Sequence, residues 1–496
     1  MNTISRKNFM KSAAAASAAL ALAPSAGLTA RPVGREEGKH PNLVFVFPDE
    51  FRRQAIGFMN QDPVITPNLD RFCSQSLVLT EATSTFPLCS PFRAMLLTGR
   101  YPQANGVLTN CYSKSEVMLK ESERCISDVF HDCGYSQGYI GKWHLDKPHE
   151  PYVGIDRGES GFWDEYVPPE RRHGFDFWYA YNCRDTHFNP WYWSTDAGRN
   201  EAREVSEWST KHEAEVAIEY IKNSGGQYRD PDRPFALFVS HNPPHMPFRL
   251  VPQQYVDMYG GKTYRDLLNR PNVDLDNPHP VAKEHVRNYF AAVTGTDDQF
   301  GRILTCLREE GLEQDTIVVF SSDHGEMMGS HNRMYKNIYY EESVGVPFII
   351  RWPGKIHPGR DDLLLGTPDI MPSLLGLTGL SDRIPLAVEG RDYSAAMLGE
   401  ECKRPTSSYY IVSDPVKPGQ KLGEGGQRGI RTSSHTFVVT QETDNTESYV
   451  LFDNRKDPYQ LENIAEKSPP LVRELTEELD GWLERTNDPW LRQRGS

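Results

Sequence analysis

The sequence predicts an α/β fold: a large, mostly parallel central sheet flanked by helices, followed by a small antiparallel sheet with a terminal helix. Three observations carry this reading. Four short, continuous apolar runs, PNLVFVF (41–47), PFALFVS (234–240), DTIVVF (315–320) and VPFIIR (346–351), have the composition of strands buried on both faces. Helical stretches, 211–222 and 281–309 among them, lie between these runs, the alternation expected of a parallel sheet. After about residue 385 the pattern shifts. Short β-like segments at 409–412, 429–431, 436–440 and 448–452 alternate with turns, and 470–485 reads as a helix.

Bulk properties narrow the function. The chain has 496 residues, 38% hydrophobic and 25% charged, which fits a globular protein with one large domain and an appended subdomain. The net charge of −14 argues against nucleic acid as the main partner, while a local basic pocket can still receive an anion. Residues 1–30 read as an export signal. The basic stretch SRKNFMK (5–11) precedes an alanine-rich run (12–23), and small residues around Ala26 and Ala30 offer cleavage sites. The run is too short to give a stable membrane span, so a periplasmic or secreted protein is expected, exported by the Sec or the Tat route. The eight cysteines show no C-x-x-C pair, and their spacing assigns no disulfide.

Polar residues gather where the predicted strands end, which is where such sheets place their sites. Asp49-Glu50 follows the first run, and Asp323-His324-Gly325-Glu326 follows the third. A single aspartate there reads as a helix cap, but two acidic strand ends together offer the oxygen ligands that a hard cation needs. Between them lie Cys89-Ser90-Pro91-Phe92-Arg93, running directly into LTGRYP (97–102) through Ala94-Met95-Leu96, and Gly141-Lys142-Trp143-His144-Leu145. His241-Asn242-Pro243-Pro244-His245-Met246-Pro247 follows the second run, and Lys336 lies twelve residues beyond His324.

C-S-P-F-R followed by L-T-G-R-Y-P resembles the modification signal of type I, formylglycine-dependent sulfatases, members of the alkaline phosphatase superfamily. G-K-W-H-L (141–145) and the segments 449–453 and 457–463 extend the resemblance, which spans residues 42–463. It implies an alkaline-phosphatase-like sheet. It also implies that a formylglycine-generating maturation enzyme oxidises Cys89 to an aldehyde residue whose hydrate is the nucleophile. By the same resemblance, Asp49, Glu50, Cys89, Asp323 and His324 hold Ca²⁺, with Mg²⁺ as the alternative. Glu50 departs from the family's usual aspartate. Lys142 and Lys336 would hold sulfate oxygens, His144 would contact the hydrated aldehyde, and Arg93 would steady it. His245, in H-x-P, would bind the ester oxygen and protonate the leaving alcohol, a role suited to histidine near neutral pH. His241 is either structural or orients its neighbour.

The organisation expected is a catalytic domain over 40–385 and a C-terminal subdomain over 386–496. The segment 150–199 reads as an insertion beside the site. Its rings (Trp163, Trp178, Tyr179, Tyr181, Trp191, Trp193) and polar arms (Arg171, Arg172, Arg184, Asp185, His187) suit a sulfated sugar, with Arg184 and His187 as substrate-binding residues. The expected activity is sulfate-ester hydrolysis on a sulfated oligo- or polysaccharide. The alternatives are a phosphodiester or phosphonate-ester hydrolase of the same superfamily and a catalytically silent glycan-binding protein.

Overall fold

The computed structural model describes residues 40–112, 116–149, 164–412, 424–441 and 446–490. The predicted export signal therefore lies outside the described residues. Fourteen strands form two sheets: β1 (Asn42–Val46), β2 (Leu77–Leu79), β3 (Ser136–Lys142), β4 (Phe177–Tyr181), β5 (Trp191–Ser194), β6 (Arg203–Glu204), β7 (Phe235–Ser240), β8 (Thr316–Phe320), β9 (Ile349–Arg351), β10 (Gly359–Asp361), β11 (Ser407–Val412), β12 (Gln427–Thr432), β13 (His435–Gln441) and β14 (Glu447–Asp453). The first sheet has the order β10-β2-β9-β8-β1-β7-β3-β4-β5-β6, and the second β11-β12-β13-β14. The central five strands, β8-β1-β7-β3-β4, are mutually parallel.

Alternation explains why the central strands read as continuous apolar runs. Leu43 and Phe45 face one core while Val44 and Val46 face the other, and β8 divides in the same way, Ile317 and Val319 against Val318 and Phe320. A strand covered on both faces has no solvent side on which to place polar residues. The covering comes mainly from α1 (Pro67–Ser74), α2 (Cys89–Thr98), α3 (Ser209–Lys222), α4 (Pro280–Glu309) and α5 (Thr367–Leu377), while α6 (Pro469–Arg485) packs on the second sheet. α4 supplies Val286, Phe290, Val293, Phe300 and Ile303 to one core, and α5 supplies Ile370, Met371, Leu374 and Leu375 to the other.

Two expectations are corrected. The run 346–351 yields only the three-residue β9, antiparallel between β8 and β2. Pro347 has no N–H to donate, so the strand starts after it. The aromatic segment, described from residue 164, is built of strands rather than being one long loop. β4 extends the parallel sheet, and β5 and β6 close it antiparallel. Trp178, Tyr181 and Trp193 are buried, and Tyr179 and Trp191 are half-buried. Arg172 lies over the Trp178 ring and donates to the Thr195 and Val167 carbonyls, and Arg171 pairs with Asp146. These rings and arms build a local core; Trp163 lies outside the described residues.

The C-terminal sheet shares a core with the helix that starts at Cys89. Met95 and Tyr101 pack with Tyr409, Ile430, Phe437 and Leu451, and with Leu475, Leu479, Trp482 and Leu483 of α6. That helical spacing puts one apolar stripe against the sheet. Among the described residues no helix is long and apolar enough to cross a membrane, and all eight cysteines are free thiols.

Candidate active site

Parallel strands bring their C-terminal ends to one edge of the sheet. Backbone hydrogen bonds continue the ladders past the strands, from Asp49 N–H to the His241 carbonyl (2.8 Å), from Ser321 to Val46 (2.9 Å), and from Trp143 and His144 to Tyr181 and Asn182 (2.8 Å each). The loops after β1, β3, β4, β7 and β8 are thereby held together. At Gly141, with φ +96°, a Cβ would lie 2.1 Å from the Ser240 carbonyl oxygen, so only glycine allows β3 and β7 to approach this closely.

Asp49, Cys89, Asp323 and His324 are fully buried, and one potential ligand atom from each lies within 4.8 Å of all the others. His324 Nε2 is 3.4 Å from Cys89 Sγ and 3.4 Å from Asp49 Oδ1. Arg93 lies one helical turn after Cys89 and so shares its face. It donates to Asp49 (3.2 Å) and Asp323 (3.0 Å), and also to the Lys142 carbonyl and Ser240 hydroxyl. Burial and the neighbouring Asp49 push the Asp323 carboxyl up. Burial works against ionisation of Asp49 too, but Lys142, His245, His324 and Arg93 outweigh it and hold that carboxyl well below its ordinary range.

Around this group stand two ammonium ions. Lys142 Nζ reaches Asp49 (2.9 Å), Asn242 Oδ1 (3.2 Å) and Asp185 (3.4 Å). Lys336 Nζ reaches Glu50 (3.1 Å) and His245 Nε2 (2.8 Å). Burial disfavours both charges, yet the carboxylates beside them keep both lysines protonated. His245 Nδ1 lies 2.6 Å from the Met246 carbonyl and so carries a proton, which leaves Nε2 as the acceptor facing Lys336. Burial and Lys336 pull His245 down to about 4. His144, at φ +55°, has two buried ring nitrogens with no hydrogen-bond partner among the described residues. Burial, Lys142 and Arg93 keep it neutral.

Of the residues expected here, Asp49, Cys89, Arg93, Lys142, His245, Asp323, His324 and Lys336 converge through these contacts. Glu50 stands outside the four-residue group. Its carboxylate turns to Lys336 and accepts from Met246 N–H (3.3 Å), and burial raises it to about 6. His187 is buried, with Nε2 2.8 Å from the His245 carbonyl, so it supports that loop. Arg184 donates to Thr186 (2.7 Å). His241 is anchored by Glu213 (2.6 Å), which also accepts from Tyr192, favouring the structural reading. Two residues stand closer to the site than the sequence placed them: Asp185, read only as one polar arm of the aromatic segment, and Asn242, given no role. Asp185 contacts Lys142, Asn242 and His245 with a side chain 37% exposed, so it faces the opening. Asn242 bridges Lys142 and Asp185. Both follow strand C-termini, the one signal that could have found them.

The Sulfatase family model matches residues 41–380. The chain belongs to the sulfatase family. A second model, N-sulphoglucosamine sulphohydrolase, C-terminal, matches residues 329–488 of this sulfatase. It is 42% identical to an endo-4-O-sulfatase of Bacteroides thetaiotaomicron, covering 92% of this chain and 95% of that one. It is 34% identical to a ulvan-active sulfatase of Formosa agariphila, over 91% and 82%. A structure solved in work on glycosaminoglycan metabolism by Bacteroides thetaiotaomicron superimposes with a TM-score of 0.85 at 40% identity, over 92% and 98%. The chain is therefore a sulfuric ester hydrolase, and the strand-end cluster is its candidate active site.

Proposed function

We propose that this sulfatase releases inorganic sulfate from a sulfated oligo- or polysaccharide, using a nucleophile made from Cys89. The observation that carries the reading is the convergence of Cys89, two buried carboxylates and His324 with two charged lysines and His245. Asp49, Asp323 and His324, with residue 89, fit a hard divalent cation, Ca²⁺ or Mg²⁺, because two buried carboxylates repel each other until a cation relieves them. Such a cation would gather charge from the sulfate oxygens. Burial and Asp49 push the Cys89 thiol up, so a native thiolate is disfavoured, whereas formylglycine at this position supplies a hydrate hydroxyl as nucleophile.

The chain's own residues do the rest. Lys142 and Lys336 hold sulfate oxygens by charge-assisted hydrogen bonds. The unbonded nitrogens of His144 provide further polar contacts at the reacting centre. His245 is neutral in the free enzyme; an anionic sulfate ester offsets the field of Lys336 and raises it, with Asp185 and Glu50 favouring the proton. Nε2 then carries the proton to the departing alcohol oxygen. Asp185 accepts from sugar hydroxyls beside the ester. The named activities of the two relatives, on 4-O-sulfate and on ulvan, support a glycan substrate. The predicted signal at 1–30 supports a periplasmic or secreted enzyme. We assign chemistry to 40–385 and closure of the site's rim to 386–496.

The test is sulfate release by protein co-expressed with a formylglycine-generating enzyme, with Ca²⁺, on sulfated mono-, oligo- and polysaccharides. Release that vanishes in Cys89→Ala supports the proposal. Silence with Cys89 shown to be converted would shift the assignment to a sulfate ester outside the panel or to phosphoesters.

A further inference from the structure

We propose that a groove beside Lys336 binds the sugar next in the chain to the sulfated one, and that this neighbour carries a negative charge. The inference rests on the sulfatase reading and deepens it to an acidic polymer. The groove has a volume of about 580 Å³ and is lined by His279, Arg333, Tyr335, Lys336, Tyr339 and Gln427, among others. That volume lies inside the roughly 300–1,000 Å³ range of ligand pockets. Lys336 belongs to both places: it lines the groove, and its Nζ meets His245 and Glu50 in the catalytic cluster.

The lining suits an acidic sugar. Arg333 is exposed and makes no ion pair among the described residues. Its guanidinium can take a carboxylate or sulfate with two parallel hydrogen bonds. Tyr335 is 39% exposed, one of few large apolar side chains left open to solvent, and offers a face to a sugar ring. His279 adds a half-buried imidazole to the lining. Gln427, at the start of β12, brings the C-terminal sheet into the lining. In a chain of net charge −14, Arg333 and Lys336 supply the local positive field that an anionic polymer needs.

The loop is built to hold these residues in place. Tyr335 sits at φ +67°, a conformation that bulky residues seldom adopt. Buried Glu326 fixes it, accepting from Tyr335 N–H (2.7 Å) and Met328 N–H (2.8 Å), while Met327 N–H donates to the Tyr335 carbonyl (2.9 Å). Gly329 N–H donates to the Arg333 carbonyl (2.8 Å). A surface loop pinned from below loses little freedom on binding.

The experiment uses the full chain, co-expressed with the maturation enzyme and assayed with Ca²⁺. The substrates are chondroitin 4-sulfate, whose sulfated sugar neighbours a uronate, κ-carrageenan, whose 4-sulfated sugar neighbours a neutral one, and 4-nitrophenyl sulfate. Chondroitin 4-sulfate should be the best polymer. Arg333→Ala should raise its KM about tenfold or more, leave 4-nitrophenyl sulfate kinetics within about twofold, and be partly rescued by Arg333→Lys. An unchanged KM in Arg333→Ala overturns the inference, as does release confined to κ-carrageenan or to 4-nitrophenyl sulfate, with the sulfatase reading left standing. Release from none of the three takes down both.

Discussion

The cluster around Cys89 and the loop over residues 330–337 share Lys336 but are built differently. In the cluster, Asp49, Cys89, Arg93, Lys142, Asp323 and His324 are at most 1% exposed, and Asp49, Asp323, Arg93 and Lys142 each face a countercharge already in place. The loop instead leaves Arg333 and Tyr335 open, on backbone pinned by Glu326. Groups that must stabilise developing charge gain from a dry, pre-arranged setting. Groups that choose a partner must be reachable before it arrives. The rings of the aromatic segment are a third case: they have the chemistry of a binding face, yet Trp178, Tyr181 and Trp193 fold inward as core, and Asp185 beside them faces the opening.

The largest effect that would sharpen this contrast is loss of the proposed nucleophile. Cys89→Ala should lower sulfate release on the order of 10⁴-fold or more, with an unchanged circular dichroism spectrum. Lys336→Ala should cost on the order of 10²–10³ in kcat/KM on every substrate, because it removes a charge facing the sulfate, whereas a loss seen only on polymers would move Lys336 from the cluster to the groove. Trp193→Ala should cost about 3–5 kcal/mol of stability in a denaturant titration and leave kcat/KM per folded molecule unchanged. A tenfold fall in kcat/KM at full stability would break the comparison by returning the aromatic segment to substrate binding.

The smallest effect concerns a buried charge away from the site. Asp297, on α4, accepts from Leu69 N–H (2.6 Å) and from the Asn68 side chain (2.9 Å). Burial raises it from 3.8 to about 6. Because the folded value lies above the unfolded one, its stabilising contribution is complete below about pH 4 and is lost as pH rises through 6. Wild type should therefore lose up to ~3 kcal/mol relative to Asp297→Asn between pH 4 and pH 7, read as a pH-dependent change in the gap between their Tm profiles.

Much of this was legible in the chain. The runs at 41–47, 234–240 and 315–320 became β1, β7 and β8 within a residue or so, because strands buried on both faces must be apolar throughout. The motif residues were legible because a strand end fixes where the next side chains go. Asp185 was read as a polar arm but not tied to the site, since its partners Lys142 and His245 are 43 and 60 positions away and only the pairing of β3 with β4 and β7 brings them together. The turn of Glu50 toward Lys336, at φ +65°, depends on tertiary contacts that no local pattern encodes. Trp178 and Trp193 show the limit most plainly: composition says that a ring is present but not which way it faces.

The position of Cys89 sets a timetable. It is the first residue of α2, 1% exposed, under Asp49 and His324, and the far end of that helix is locked by the C-terminal sheet. An enzyme that must grip the surrounding C-S-P-F-R segment has no purchase once these layers have closed. If Cys89 is converted as proposed, folding acts as a deadline for that step: a chain that reaches its native state with the thiol intact is stranded, and the active fraction of a preparation records which of two competing rates was faster.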